Sequence, residues 1–284
     1  MTLAWLAAAL RMGLPYALAS LGGMWSERSG VIQIALEGIL LGSAFCATLG
    51  AYTFGSAWAG LACGAASGAL LALFYGLCVV VGRGDQIVVG IAINLLVDGA
   101  CRLFLKLRFG SSSNSPRVAA WEQFSHPALL FVGLTLLFTV GSWLVLGRTR
   151  FGLRVRAVGE HPAAARSLGV RPGWVRLCAV VLGGAITALG GVWLAADQFQ
   201  FVSGMSNGRG YIALAALILG KWRPTGVLLA AFLFGAAVAM EVTLQSRGIG
   251  LPLWLVQMFP YVITLLVLAG FTGRAVAPSA LGKR

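Results

Sequence analysis

Apolar runs long enough to cross a bilayer recur along this chain, and they constrain its fold more than any other feature. A membrane-spanning helix needs about 20 mainly apolar residues, fewer where it is broken or re-entrant. Nine stretches qualify: 3–22, 31–49, 56–81, 86–105, 127–147, 174–196, a short 210–220, 224–242 and 252–271. A water-soluble globule of 284 residues that is 59% apolar and only 10% charged has too little interior to hide such side chains. The same figures exclude a disordered, collagen-like or disulfide-scaffold chain. The expectation is an all-α polytopic membrane protein with about nine transmembrane segments, one of them short or broken. Connectors are short except 106–126, read as a solvated loop, and 148–173. No linker divides the chain, so residues 1–284 read as a single transmembrane domain. Ala17-Leu18-Ala19 resembles a signal-cleavage site. No charged region precedes it, and Arg11 and Pro15 interrupt the apolar stretch, so the first segment reads as a retained span.

A net charge of +13 would suggest nucleic acid in a soluble chain. Here its placement gives another cause. Segment 148–176 carries Arg148, Arg150, Arg154, Arg156, Arg166, Arg171 and Arg176 with Glu160 as its only acid, which places it in the cytoplasm by the Arg/Lys bias of membrane proteins. Alternation of spans then sets Arg28, Arg83, Lys221, Arg223, Arg274, Lys283 and Arg284 on the same side. Arg11, Arg102, Lys106, Arg108, Arg117, Arg209 and Arg247 are left for the spans or the opposite side. The result is an N-out, C-in, multi-pass membrane protein, in contact with lipid and not with nucleic acid. Cys46, Cys63, Cys78, Cys101 and Cys178 each stand alone in apolar stretches, and His126 and His161 lack ligand-spaced partners, so no metal site is expected.

Gly60, Gly64 and Gly68, and likewise Gly183, Thr187 and Gly191, form small-residue stripes that let helix backbones approach closely. A gating hinge at Gly183-Gly184 or Gly190-Gly191 is the other reading. Residues 34–42 (Ile-Ala-Leu-Glu-Gly-Ile-Leu-Leu-Gly) echo 212–220 (Ile-Ala-Leu-Ala-Ala-Leu-Ile-Leu-Gly), each preceded by a Ser-Gly pair, and the charge count makes them cross in opposite directions, a possible inverted repeat. Within 148–173, Glu160 and Pro162 suit a helix start, Ala163 to Leu168 are good helix formers and Gly169 suits a stop. That predicts a helix of about seven residues outside the membrane, bounded by Gly159 and Gly169, suited to docking a partner.

The stretch 150–170, with Gly159-Glu160, Pro162, Ala164-Ala165 and Gly169, resembles the coupling region of bacterial ABC importer permeases, in the branch serving simple sugars, nucleosides and branched-chain amino acids. Ser26 to Gly38 and Gly208-Arg209-Gly210-Tyr211 running on to Gly220-Lys221-Trp222 resemble two further stretches of that family, in the same order along nearly the whole chain. The wording is most similar to nucleoside and simple-sugar permeases. Gln33 and Ala35 stand where the family usually has Asn and Gly, and Asp98 lies in a helix usually apolar there. The resemblance implies an ABC importer transmembrane domain without enzymatic activity. It implies an ATP-binding subunit docked on Gly159, Glu160, Ala163, Ala164 and Gly169. It also implies a second permease chain, different or identical, and a solute-binding protein or lipoprotein. No G-x-x-x-x-G-K-[ST] phosphate cradle occurs, so no nucleotide cofactor belongs to this chain and ATP hydrolysis falls to a partner.

Polar residues within the spans mark a candidate substrate path, because burying them in lipid is costly. Asn94, Asp98 and Arg102 share one helix face. They read either as path lining or as an internally neutralised pair with a structural Asn. Glu37 is a lone acid among Ile, Leu and Gly that needs a partner, and Asp197 and Arg209 flank the short segment on the outer side. Trp193, Phe199, Phe201 and Tyr211 could stack a base or sugar, or sit at the membrane interface. An ion-coupled secondary transporter using Glu37, Asp98 or Glu241 as proton sites is the competing function. An intramembrane enzyme lacks a nucleophile–base or metal-ligand set.

Overall fold

The computed structural model describes residues 2–246 and 276–283, with Leu255, Met258 and Val262 between them; the predicted span 252–271 otherwise lies outside the described residues. The described helices are α1 (Thr2–Arg28), α2 (Leu36–Phe54), α3 (Ala57–Gly76), α4 (Gln86–Phe109), α5 (Pro127–Arg148), α6 (Arg150–Glu160), α7 (Pro162–Ser167), α8 (Pro172–Gln198), α9 (Arg209–Leu219) and α10 (Pro224–Ser246). A π-helical turn, Leu77–Val81, continues α3. Six helices, α2, α3 with its π turn, α4, α5, α8 and α10, are long and apolar enough to cross a membrane. The protein is a multi-pass membrane protein. The eleven residues of α9 extend only about 16 Å, half of a hydrocarbon core of about 30 Å.

The core forms around α8, which packs on α1, α2 and α3. Close approach explains the small-residue stripes. A Cβ on Gly191 would lie 2.1 Å from the Leu40 carbonyl oxygen, and one on Gly183 would lie 2.3 Å from that of Gly22. On α3, added carbons at Gly64 and Gly68 would each meet α8 side chains, Val192 and Ala188, at 2.3 Å. These glycines serve helix packing. Gly191→Val should therefore destabilise by about 3 kcal/mol, the upper end for overpacking. Gly133→Ala, with open space around it, should be neutral or stabilising. Thermal unfolding of the two purified variants checks the contrast.

The second predicted segment needs correction. Its helix starts at Leu36, and residues 31–35 have no helical structure. Side chains distant in sequence bond that backbone. Gln86 Oε1 accepts the Ile32 N–H at 2.8 Å, the Tyr75 hydroxyl donates to the Ile32 carbonyl, and Asn94 Nδ2 donates to the Ile34 carbonyl at 3.0 Å. Irregular backbone survives at membrane depth only when protein satisfies it in this way.

The loop 106–126 is also not simply solvated. Helix α4 runs on to Phe109, and Ser115, Val118 and Trp121 are buried. Three backbone bonds tie the loop to residues 199–203: Ser115 N to Phe201 O (2.9 Å), Val118 N to Phe199 O (2.8 Å) and Ser203 N to Ser113 O (2.7 Å).

One face of the bundle collects the basic ends. Arg28 Nε donates to the Trp222 carbonyl at 2.8 Å, Arg176 Nε to the Ser29 carbonyl at 3.3 Å, and Ala280 N to the Gly159 carbonyl at 2.9 Å. The end of α1, the segment 148–176, residues 221–223 and the segment 276–283 therefore share the face that the charge count groups together.

Candidate functional site

Two short-range breaks meet inside the bundle. The segment 199–208 leaves the residues bonded to the 106–126 loop and turns through Gly204 and Gly208, both with positive φ, into α9. Gly208 caps α9 without a side chain of its own. Glu37, in the first turn of α2, supplies the acceptor instead. Its Oε1 accepts the Gly208 N–H at 2.8 Å and its Oε2 accepts the Gly210 N–H at 2.7 Å. One carboxylate thus faces the N-terminal ends of two helices, where the partial positive charge of the aligned peptide dipoles favours an anion. The approach demands glycine, because a Cβ on Gly210 would lie 2.4 Å from the Glu37 nitrogen.

From this junction the two helices run in opposite directions. Helix α9 leads to Trp222, whose indole Nε1–H donates to the buried Glu27 carboxylate at 2.6 Å on the basic face. Helix α2 leads to Tyr52, which packs edge-on against Phe109 at the far end of α4. The two echoing sequences are these two helices.

Asn94 sits against the junction and is buried. Its Oδ1 accepts the Gly38 N–H at 2.8 Å, while Nδ2 reaches both the Ile34 carbonyl and the Tyr211 hydroxyl, the latter at 3.1 Å. Eight residues separate Asn94 from the start of α4, which sets it about 12 Å along that helix. Asn94→Ala strands a buried N–H and a carbonyl, so a loss of about 2–4 kcal/mol is expected. Tyr211→Phe removes one hydrogen bond and should cost about 1 kcal/mol. Unfolding midpoints of both variants test this ranking.

Of the predicted path residues, the structure brings together Glu37 and Asn94. Arg209 opens α9 between Gly208 and Gly210, and its guanidinium folds back onto the Met205 carbonyl. Asp98 pairs with Arg102 at 3.1 Å on the exposed flank of α4. Asp197 pairs with Arg11 of α1 near the opposite face, away from the junction. Trp193 and Phe201 are core residues, whereas Tyr211 is 48% exposed beside the junction.

On the basic face, two helices replace the single one expected. Gly159 and Glu160 close α6 and do not open α7. Gly159 is the point where α6 crosses α1, with 2.1 Å from a would-be Cβ to the Arg28 carbonyl. Glu160 Oε2 accepts from the backbone N–H and hydroxyl of Ser279 at 3.1 and 2.8 Å. Helix α7 has six residues, and Gly169, with φ of +80°, ends it. Ala163 and Ala164 face outward with Leu168, which is 84% exposed, while Ala165 is buried beneath them.

Sequence reasoning missed Tyr75, Gln86 and the Glu27–Trp222 bond. The available signal for the first two was a lone polar group next to an apolar run.

A multi-pass bundle in which a short helix and a longer span both start at a shared carboxylate resembles the interrupted helices of membrane transporters. The chain matches the family described as branched-chain amino acid transport system / permease component over residues 5–268, and it belongs to that family. It is 36% identical to the guanosine ABC transporter permease protein NupQ of Bacillus subtilis and 34% identical to the nucleoside ABC transporter permease protein NupC of Lactococcus lactis. In both cases the alignment covers 94% of this chain and 92% of the relative. A putative glucose ABC transporter permease protein, TsgC13 of Haloferax volcanii, is 32% identical over 82% of this chain and 75% of its own length. No solved structure matches the chain.

Proposed function

We propose that this permease carries a nucleoside inward across a bacterial inner membrane, as one subunit of an ATP-driven ABC importer. The observation that carries the choice of solute is the half-exposed Tyr211 ring, held by Asn94 at the Glu37 junction. An aromatic face suits a flat base by stacking. Relatives named for guanosine and for nucleosides, aligned along nearly the whole chain, support the same choice over a simple sugar.

Energy comes from another chain in this reading. Gly220-Lys221 is followed by Trp222 and lacks the upstream glycine of a phosphate cradle. The ATP-binding subunit docks on the outward side of α7, formed by Ala163, Ala164 and Leu168, with the basic face in the cytoplasm. A second permease chain covers the exposed flank of α4 that bears Asp98 and Arg102, and a solute-binding protein delivers cargo at the opposite face. The acids that a proton-coupled carrier would use are engaged: Glu37 by two backbone N–H groups, Asp98 by Arg102 and Glu241 by Gln245 at 3.0 Å.

Proteoliposomes holding this chain with its ATP-binding and partner permease subunits test the proposal. Labelled guanosine should accumulate only with ATP on the subunit side and binding protein on the other, and unlabelled glucose should not compete. Accumulation driven by an imposed pH gradient without nucleotide overturns the coupling. Competition by glucose at concentrations where inosine also competes overturns the solute.

A further inference from the structure

A cavity of about 610 Å³ opens on the basic face, between α7, the turn joining α3 to α4, the first turns of α8 and the end of segment 276–283. Arg83, Arg166, Arg176 and Lys283 line it. Its one acid among the described residues, Asp85, is committed elsewhere, because its carboxylate accepts the Ile87 and Val88 N–H groups at 2.9 and 3.1 Å as the cap of α4. Among the described residues none of the four cations forms an ion pair. The Arg176 guanidinium borders the cavity with its Nε on the Ser29 carbonyl and its Nη2 buried beside Gly30, without a hydrogen-bond partner among the described residues. Four like charges around one cavity call for an anion with several acceptor oxygens.

The walls narrow the choice of anion. Val31, Val79 and Ile87 also line the cavity, and Val81 and Val88 lie beside it with 67% and 65% of their surface exposed. A basic pocket between the ends of membrane helices, continued by bare apolar side chains, suits a phosphate that carries acyl chains.

We propose that this cavity binds the headgroup phosphate of an anionic membrane phospholipid, with the chains lying along Val81 and Val88. Because Pro162, Ala163 and Arg166 of α7 form one wall, an occupied site braces α7 against the α3–α4 turn. The lipid site is independent of the solute assignment, while Ala163 belongs both to its wall and to the docking side of α7.

The test uses the purified full chain in phosphatidylcholine nanodiscs doped with fluorescent phosphatidylglycerol, and reads the labelled lipid held at the protein. Wild type should retain phosphatidylglycerol over an equally labelled phosphatidylcholine. Arg83→Gln and Lys283→Gln, both at exposed side chains, should each weaken retention about fivefold, and together about 25-fold. Arg176→Gln should weaken it at least as much, and an unchanged unfolding midpoint would separate that loss from misfolding. Equal retention by the double variant, or no preference over phosphatidylcholine, overturns the site. Displacement by millimolar inorganic phosphate, with short-chain and long-chain phosphatidylglycerol held alike, assigns the cavity to free phosphate and overturns the lipid source. None of these readouts uses ATP or nucleoside, so their failure leaves the importer proposal standing, and failure of the importer proposal leaves them interpretable.

Discussion

Glu37→Ala is expected to cost the folded permease about 3–6 kcal/mol, enough to remove most of it from the membrane. The figure follows from two charge-assisted hydrogen bonds, to the N–H groups of Gly208 and Gly210, at roughly 1.5–3 kcal/mol each. Water could replace such bonds at a protein surface. At the junction of α2 and α9 the carboxylate is half-buried and Gly210 lies against the Glu37 backbone, which limits that replacement. Without the carboxylate, two positive helix ends also face each other with nothing between them. Glu37→Gln should be intermediate, since its amide oxygen can accept one of the two bonds while its NH₂ meets the other donor. Protein retained in the membrane fraction, and the unfolding midpoint in detergent, should rank wild type above Glu37→Gln above Glu37→Ala. Equal midpoints for all three would show that the junction is not held by this carboxylate.

Six of the nine expected spans were legible, because length and apolarity suffice to identify them, and the basic face was legible because Arg and Lys cluster there. The break at 31–35 was not. Val31, Ile32 and Ile34 are as apolar as any helix segment, and the causes of the break, Tyr75, Gln86 and Asn94, lie more than forty residues away in sequence. Glu160 was misplaced for a local reason: an acid two residues before Pro162 fits the start of one helix as well as the end of another. The amphipathic α6 was hidden by its arginines, which read only as topology signals. Asp197 was grouped with Arg209 by nearness in sequence, whereas its partner is Arg11, 186 residues away. Of the candidate site, Glu37 and Asn94 stood out as polar groups that lipid would penalise. The backbone donors of Gly208 and Gly210 carry no side-chain signal at all.

Glutamates placed on the outward side of α7 should abolish nucleotide-driven uptake while leaving the permease folded. Ala163 and Ala164 are exposed, and a Glu at 163 would border the cations of the basic cavity, so neither substitution should disturb the fold. Position 163 also lies in the first turn of a helix that begins at Pro162, where a negative charge is favoured by the peptide dipoles. Abundance and unfolding midpoint should therefore match wild type. An apolar contact with a partner cannot absorb the same charge, because desolvating an unpaired carboxylate in an interface costs several kcal/mol. A loss of about 2.8 kcal/mol is a hundredfold loss of affinity. Co-purification of the ATP-binding subunit with Ala163→Glu/Ala164→Glu should fall by about that factor, and uptake should fall with it. Ala165→Glu serves as the contrast: that residue is buried under α7, so the variant should lose abundance as well as partner. Wild-type co-purification by the Ala163/Ala164 variant would move the docking surface off α7, with the exposed Lys221 and Arg223, on the same basic face, the next place to test by the same measurement.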